Sequence, residues 1–298
     1  MSKENLTDFL TAVRDDLLDR AAALLRESPD LASVHVPGSC WELDPNSSST
    51  ETCAPIHYCA VHGRAKMARL LLESGADPNV LGFEGNNSPE NGYAVPISLA
   101  AWEGGLETMR VLLEHGADAD GQNGAAMHTA LGHLNNDRCE LLLKHGATLD
   151  LPTAAGLGMI DELKSLLDGQ TPYDDRAFEM AVCQNQVAAM KLLVEAGHMG
   201  DIDRKGNMVD FTPLQLGAYY GAAEAVAYLI ELGADVNKVK SASKWQWDES
   251  GTALHVACSE KKSFGGDKLR IVQMLVKAGA DTSIRNADGK TAAELRHD

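Results

Sequence analysis

The 298-residue sequence predicts an all-α solenoid made of short, stacked helix pairs. Three observations predict it. A leucine-rich run closed by a glycine recurs along the chain, as LLLESGADPN (70–79), VLLEHGADAD (111–120), LLLKHGATLD (141–150), LIELGADVN (229–237) and MLVKAGADTS (274–283). A second block sits upstream of most copies: APIHYCAVHG (54–63), VPISLAAWEG (95–104), AAMHTALGHL (125–134), TPLQLGAYYG (212–221) and TALHVACSEK (252–261). The aromatic fraction is only 5% beside a hydrophobic fraction of 44%, which suits small helices packed closely on Ala, Leu, Val and Met rather than a sheet-rich fold.

The N-terminal residues 4–34 read as a helix pair without either block and with charges on one side, the character of a terminal cap that must face water. Within each repeat, a Thr-Pro start offers an N-cap and a preset φ for the first helix. The leucine run makes the second helix apolar toward both neighbouring layers. Gly75, Gly116 and Gly233 are placed to end that helix in the left-handed conformation. The Asp/Asn-rich segments that follow, Asp77-Pro78-Asn79 and Asp235-Val236-Asn237, turn the chain into the next repeat. Weaker copies of the second helix end at Gly169 and Gly197. From Gly75 to Gly279 the chain takes six steps over 204 residues, a mean of 34, with the shortest steps inside 151–200. At the end, residues 285–298 supply only the opening of a further unit.

The upstream blocks resemble the Thr-Pro-Leu-His-x-Ala pattern of the ankyrin repeat family, whose period is about 33 residues. The resemblance covers about residues 50–298. It implies an ankyrin-repeat solenoid of about eight helix-turn-helix units plus a partial C-terminal cap, with long hairpin-loop insertions. The expected organisation is a single solenoid over 1–298: a capping pair at 1–34, repeats over 35–284 and a partial cap at 285–298. Insertions are expected at 35–52, 80–93, 201–211 and 238–250. The resemblance also implies that the finger-like loops and the first helix of each unit form the binding surface. The motif histidines His57, His128 and His255 would then tie adjacent units together.

Charge narrows the choice of partner. The net charge is −17, from 43 acidic and 26 basic residues, so a phosphate backbone is a poor ligand and no nucleic acid is expected. A protein, with a basic one favoured, fits better, since complementary charge speeds encounter. No segment is long and apolar enough for a membrane span, and residues 1–20 lack the form of a secretion signal. A cytoplasmic location with six reduced cysteines is the expectation, Cys40 and Cys53 being the pair whose shared loop would allow bonding under oxidation.

Specificity is sought where the repeat is not constrained. The insertions carry Trp41, Phe83 with Glu84, Tyr93, Trp245 and Trp247; such aromatics either fold back over the body or make contacts with a partner. The two residues before the glycine that ends the first helix are expected to face the concave groove. Down the chain this slot holds His62, Trp102-Glu103, His133, Gln184, Tyr219-Tyr220 and Glu260. Trp102, Tyr219 and Tyr220 are of the type favoured as interface anchors.

The pairs His57…His62 and His128…His133 share a five-residue spacing that places their side chains about 500° apart on a helix, so they diverge and make no metal site. No catalytic motif and no cofactor site is legible. Two functional classes remain. One is a protein-binding module working through groove and fingers. The other is an enzyme or small-molecule binder whose fingers close over a pocket lined by Trp41, Phe83, Trp102 and Tyr219, with His62, Glu103 or His133 acting on the ligand.

Overall fold

A computed structural model of the chain describes residues 2–44, 46–47, 52–82, 95–122, 124–169, 172, 174–206, 210–240, 250–259 and 266–295. The chain forms two compact units, Met1–Thr148 and Leu149–Asp298. In the N-terminal unit the helices pair as α1 (Lys3–Arg14) with α2 (Leu18–Glu27), α3 (Pro55–Val61) with α4 (Ala65–Glu73), α5 (Pro96–Leu99) with α6 (Leu106–Glu114), and α7 (Ala125–Gly132) with α8 (Asn136–Lys144). In the C-terminal unit the pairs are α9 (Leu151–Gly156) with α10 (Ile160–Asp168), α11 (Asp175–Cys183) with α12 (Val187–Glu195), α13 (Pro213–Tyr220) with α14 (Ala223–Glu231), and α15 (Ala253–Cys258) with α16 (Lys268–Lys277). A 3₁₀ turn at Ala293–Leu295 follows.

Within each unit first helices pack on first helices and second on second, the two-layer stacking of a solenoid. The core follows the composition: Ala60, Ala101, Ala130, Leu71, Leu112 and Leu142 are fully buried in the N-terminal unit, and Ala181, Ala218, Leu193 and Leu229 in the other. The compressed stretch 151–200 still yields two complete pairs, because α9 and the connections are short rather than because a helix is missing. All six cysteines are buried thiols. Burial raises the pKa of Cys59 and Cys183, and that of Cys139 to about 12.

The turns between repeats are joined by side chains. Asp77 accepts the Asn79 amide (2.8 Å), and Asn79 reaches onward, accepting from Asp118 N (2.8 Å) and donating to Gly116 O (3.0 Å). Asp118 accepts the Asp120 amide, and Asp120 accepts from Thr148 N (2.6 Å). In the C-terminal unit Asp201 accepts from Asp203 N, Asp203 from Asp235 N, Asp235 from Asn237 N and Asn237 from Asp281 N. Asp201 and Asp203, whose spacing faintly echoes a calcium loop, therefore act as two rungs of this ladder. The glycines before the turns have φ between +78° and +98° at Gly75, Gly116, Gly146, Gly197, Gly233 and Gly279. Gly169 differs, with φ −71°, so α10 ends without the left-handed turn that the other second helices use.

The motif-histidine position varies more than the pattern suggests. His57 accepts the Ala54 amide at Nδ1 (3.0 Å) and donates from Nε2 to Val80 O (3.0 Å). His255 does the same between Thr252 and Lys290 O (3.2 Å). Gln215 imitates it with an amide, accepting from Thr212 N and donating to Lys238 O and Gly251 O. At the equivalent point of α11 stands Glu179, fully buried and ion-paired to Arg204 (3.3 Å), which also meets Asp175 (3.1 Å). A carboxylate here cannot donate to a loop carbonyl as an imidazole does, so the loop supplies a cation instead. Sequence reading missed this substitution of role.

The third repeat breaks the regular first-helix ending. A π-helical turn, Ala100–Gly104, continues α5. Pro96 to Gly116 has the same residue count as Pro55 to Gly75, yet the left-handed residue moves from the Gly63 position to Gly105, φ +89°. The cause lies in packing: a Cβ on Gly104 would fall 1.6 Å from Ala60 O, and one on Gly63 would fall 2.6 Å from Gly104 O. Backbone here lies directly against backbone of the preceding repeat.

Three outcomes follow. Gly104→Ala should cost about 3 kcal/mol or more, as overpacking against a carbonyl; Gly75→Ala, with open space around its Cβ, should cost only about 1–2 kcal/mol of left-handed strain. Urea unfolding of the two variants distinguishes them, and equal midpoints would refute the close approach. Glu179→Ala, which leaves Asp175 as the carboxylate partner of the largely buried Arg204, should lose about 1.5–3 kcal/mol, as one hydrogen-bonded charge contact removed. Glu179→Gln should lose less, because Gln215 already serves in the same slot; the reverse order in thermal melts would count against the equivalence. Finally, a thiol reagent at pH 8 should find essentially no reactive cysteine in the native protein and all six after unfolding.

Candidate functional site

The first helices end in a common backbone device. A left-handed residue follows seven of the eight, at Asp16, Gly63, Gly105, Leu134, Gly158, Asn185 and Gly221, with φ from +56° to +89°, while α15 runs into an extended Ser259. Glycine was the expected marker of this position, but Asp16, Leu134 and Asn185 occupy it too, at the strain that a Cβ brings. The residue just before it, or one earlier in the π-helical turn, therefore recurs in equivalent positions: His62, Glu103 and His133 in the N-terminal unit, Gln184 and Tyr220 in the C-terminal unit.

The first insertion delivers Trp41 onto this row. Its base is an antiparallel pair, β1 (Val36–Pro37) with β2 (Thr52–Cys53), in which Val36 faces Cys53. His62 donates from Nε2 to Trp41 O (3.0 Å), fastening the loop to the end of α3. The rings then form a continuous series. Tyr58 and His62 lie 4.2 Å apart between centroids. Trp41 stands edge-on to His62 at 6.2 Å and 87°, and to Trp102 at 6.0 Å and 89°. Trp102 lies 6.3 Å from His133 at 29°. Trp41 and His133 are half-buried, while Trp102 is 39% exposed. Glu103, beside it, is exposed and makes no hydrogen bond or ion pair among the described residues.

The π-helical turn that carries Trp102 and Glu103 exposes carbonyls that an ordinary α-turn would satisfy internally. Arg138, from α8 of the next repeat, satisfies them: its Nη1 donates to Ala101 O (2.6 Å), to Trp102 O (2.9 Å) and, at 3.4 Å, to Ala100 O. Burial lowers the pKa of this guanidinium. Neither Arg138 nor Tyr58 stood out in the sequence. Arg138 lies on a second helix, where nothing in the repeat marks a residue that reaches back to its neighbour.

Residues picked from the slots of the C-terminal unit form a second, less exposed group. Tyr219 packs on Tyr220 (5.3 Å, 80°) and on Phe211 (5.7 Å), while Lys240 Nζ sits 3.9 Å over the Phe211 ring. Burial pushes the Tyr220 hydroxyl pKa well above the usual phenol value. Gln184 is half-buried at the end of α11. Phe83, Glu84, Tyr93, Trp245, Trp247 and Glu260 lie outside the described residues. His57 and His62 diverge as expected: the first is buried against Ala54 and Val80, the second is exposed toward Trp41. Among the described residues no three His, Cys, Asp or Glu side chains gather closely enough to hold a metal ion. No helix there is long and apolar enough to cross a membrane.

Comparison with known proteins fits this geometry. The family model described as "Ankyrin repeats (3 copies)" matches residues 151–240, and that described as "Ankyrin repeat" matches 53–82 and 251–287. Alpha-latrotoxin-Lg1a of Latrodectus geometricus is 32% identical over 124 residues, 41% of this chain and 8% of that protein. The E3 ubiquitin-protein ligase KEG of Arabidopsis thaliana is 28% identical over 119 residues, 40% of this chain and 7% of the ligase. The matched segment thus spans under a tenth of these relatives. Among solved structures, the human ASB11 ankyrin repeat domain aligns at 20% identity and TM-score 0.39, covering 82% of this chain and 92% of that one. The Bcl-3 ankyrin repeat domain aligns at 24% and 0.34, covering 83% and 95%. Ankyrin repeats are in general protein–protein interaction modules. With its paired helices, its ladder of turns and family models matching over half its length, the chain belongs to the ankyrin repeat family.

Proposed function

We propose that the chain binds a partner protein through the row Trp41, His62, Trp102, Glu103 and His133 at the ends of the first helices of the N-terminal unit. The observation that carries the reading is Trp102. A tryptophan 39% exposed, on a turn held in place by Arg138, is an apolar anchor offered outward rather than folded into the core. Trp41 and His133 flank it, and half-buried neighbours of this kind exclude water from an anchor's rim. The net charge of −17 favours a basic partner, whose encounter would be steered and salt-sensitive.

Tyr219 and Tyr220 contribute to packing as well as surface, so their removal would mix loss of fold with loss of binding. Trp102→Ala isolates the surface. The variant should keep the helical circular dichroism and melting temperature of the parent to within a few degrees. It should also lose about tenfold or more in affinity for a partner captured from the native source, since anchor residues contribute about 2 kcal/mol or more. Undiminished capture by a folded Trp102→Ala protein would sink the proposal.

A further inference from the structure

Past α16 the two layers of the C-terminal unit are covered unequally. After Lys277 the described residues form no further second helix. The chain passes through the turns of 281–292 into the 3₁₀ turn Ala293–Leu295, which packs against α15. The first-helix layer is covered in this way and the second-helix layer is not. We infer that Leu269, Val272 and Val276 of α16 dock an amphipathic helix of a partner protein, apolar on one side and acidic along its border. That helix takes the place where a next second helix would stack. The inference goes beyond the Trp102 row and does not depend on it.

Three observations carry it. First, Leu269, Val272 and Val276 share one side of α16, by their spacing of three and four residues. Leu269 is 55% and Val276 48% exposed, and Val272 is half-buried. Second, these places are stacking positions wherever another second helix follows. Ala68, Met109, Met190 and Val226, each seven residues before its closing glycine, are fully buried, and α4, α6, α12 and α14 each pack on the next second helix. Leu72 and Leu113, three residues before theirs, are buried too. Val272 and Val276 hold the same places before Gly279 without that cover. A terminal cap would turn polar residues to water here, as α2 does with exposed Asp19, Arg26 and Glu27. α16 instead keeps an apolar stacking face.

Third, charge selects the occupant. α16 carries Lys268, Arg270 and Lys277 and no carboxylate, in a chain of net charge −17. Lys268 donates to Ser259 O (2.7 Å), and Arg270 pairs with Glu224 of the preceding helix pair (2.6 Å). Lys277 is exposed and makes no hydrogen bond or ion pair among the described residues, so it is available to an incoming acid. A second copy of the chain would set two such cationic helices side by side, and their repulsion disfavours that pairing.

The probe is a blocked, fluorescently labelled peptide made of four copies of Leu-Glu-Glu-Leu, whose leucines line one side of a helix. It is titrated with the full chain beside a peptide of the same composition in strict Leu-Glu alternation, which has no apolar helix face. The first peptide should bind saturably and the second should not. Leu269→Glu with Val276→Glu changes exposed side chains only, so the double variant should keep the melting temperature of the parent. It should bind the peptide about tenfold or more weakly, having lost two apolar contacts. Lys277→Glu should weaken binding by about threefold, as one exposed charge contact reversed. Trp102→Ala should bind the peptide as the parent does, which separates this face from the Trp102 row. No binding, equal binding of the alternating peptide, or undiminished affinity in the double variant or in Lys277→Glu would overturn the inference. So would loss of the peptide in Trp102→Ala. A parent dimer in sedimentation that the double variant dissolves would overturn it as well, by making a second copy the occupant.

Discussion

The structure depends on one interaction repeated within each unit: an aspartate or asparagine of one inter-repeat turn accepts a backbone amide of the next, as at Asp120–Thr148 and Asp203–Asp235. Asn79 to Asp118 and Asn237 to Asp281 are the complete examples. Each second helix ends with carbonyls and each new repeat begins with amides that need partners. Bridging the two sets fixes the offset between successive helix pairs. Once that offset is set, leucines of neighbouring second helices must meet, and the ends of the first helices must line up. The row of first-helix ends is a by-product of this regularity: His62 and His133 share a position because their backbones do, and Glu103 occupies it by way of the π-helical turn.

The regular part was legible in the sequence because it is made of local signals. Leucine runs, closing glycines and Asp-x-Asn turns each follow from the conformation of a few adjacent residues. The helix pairs could therefore be read, and so could the divergence of His57 from His62. Trp102 could be singled out for a related reason: an aromatic in a slot where the repeat requires none has to be accounted for otherwise.

What the sequence hid is non-local. The π-helical turn leaves no gap in the count of residues, because it arises from Gly104 meeting a carbonyl contributed by another repeat. Arg138 reaches back across a repeat boundary, and no spacing announces that. The Glu179–Arg204 pair replaces a histidine bridge with a buried ion pair whose members lie 25 positions apart. Such a pair is weak evidence of added stability, since desolvation offsets most of the attraction; its evident effect is to hold the 201–206 loop to α11. The left-handed Leu134 shows the same limit from the other side. There the fold imposes a backbone shape on a residue that does not favour it, and only neighbouring packing reveals the demand.

Because Arg138 belongs to one repeat and shapes the exposed turn of another, the repeats of this chain are not interchangeable parts. Moving the Trp102 repeat into a different stack would carry the tryptophan along but leave behind the guanidinium that sets its orientation. Grafting would need the pair of adjacent repeats as the smallest transferable piece. Natural shuffling of single repeats would face the same restriction, so this surface must vary by substitution within a fixed order.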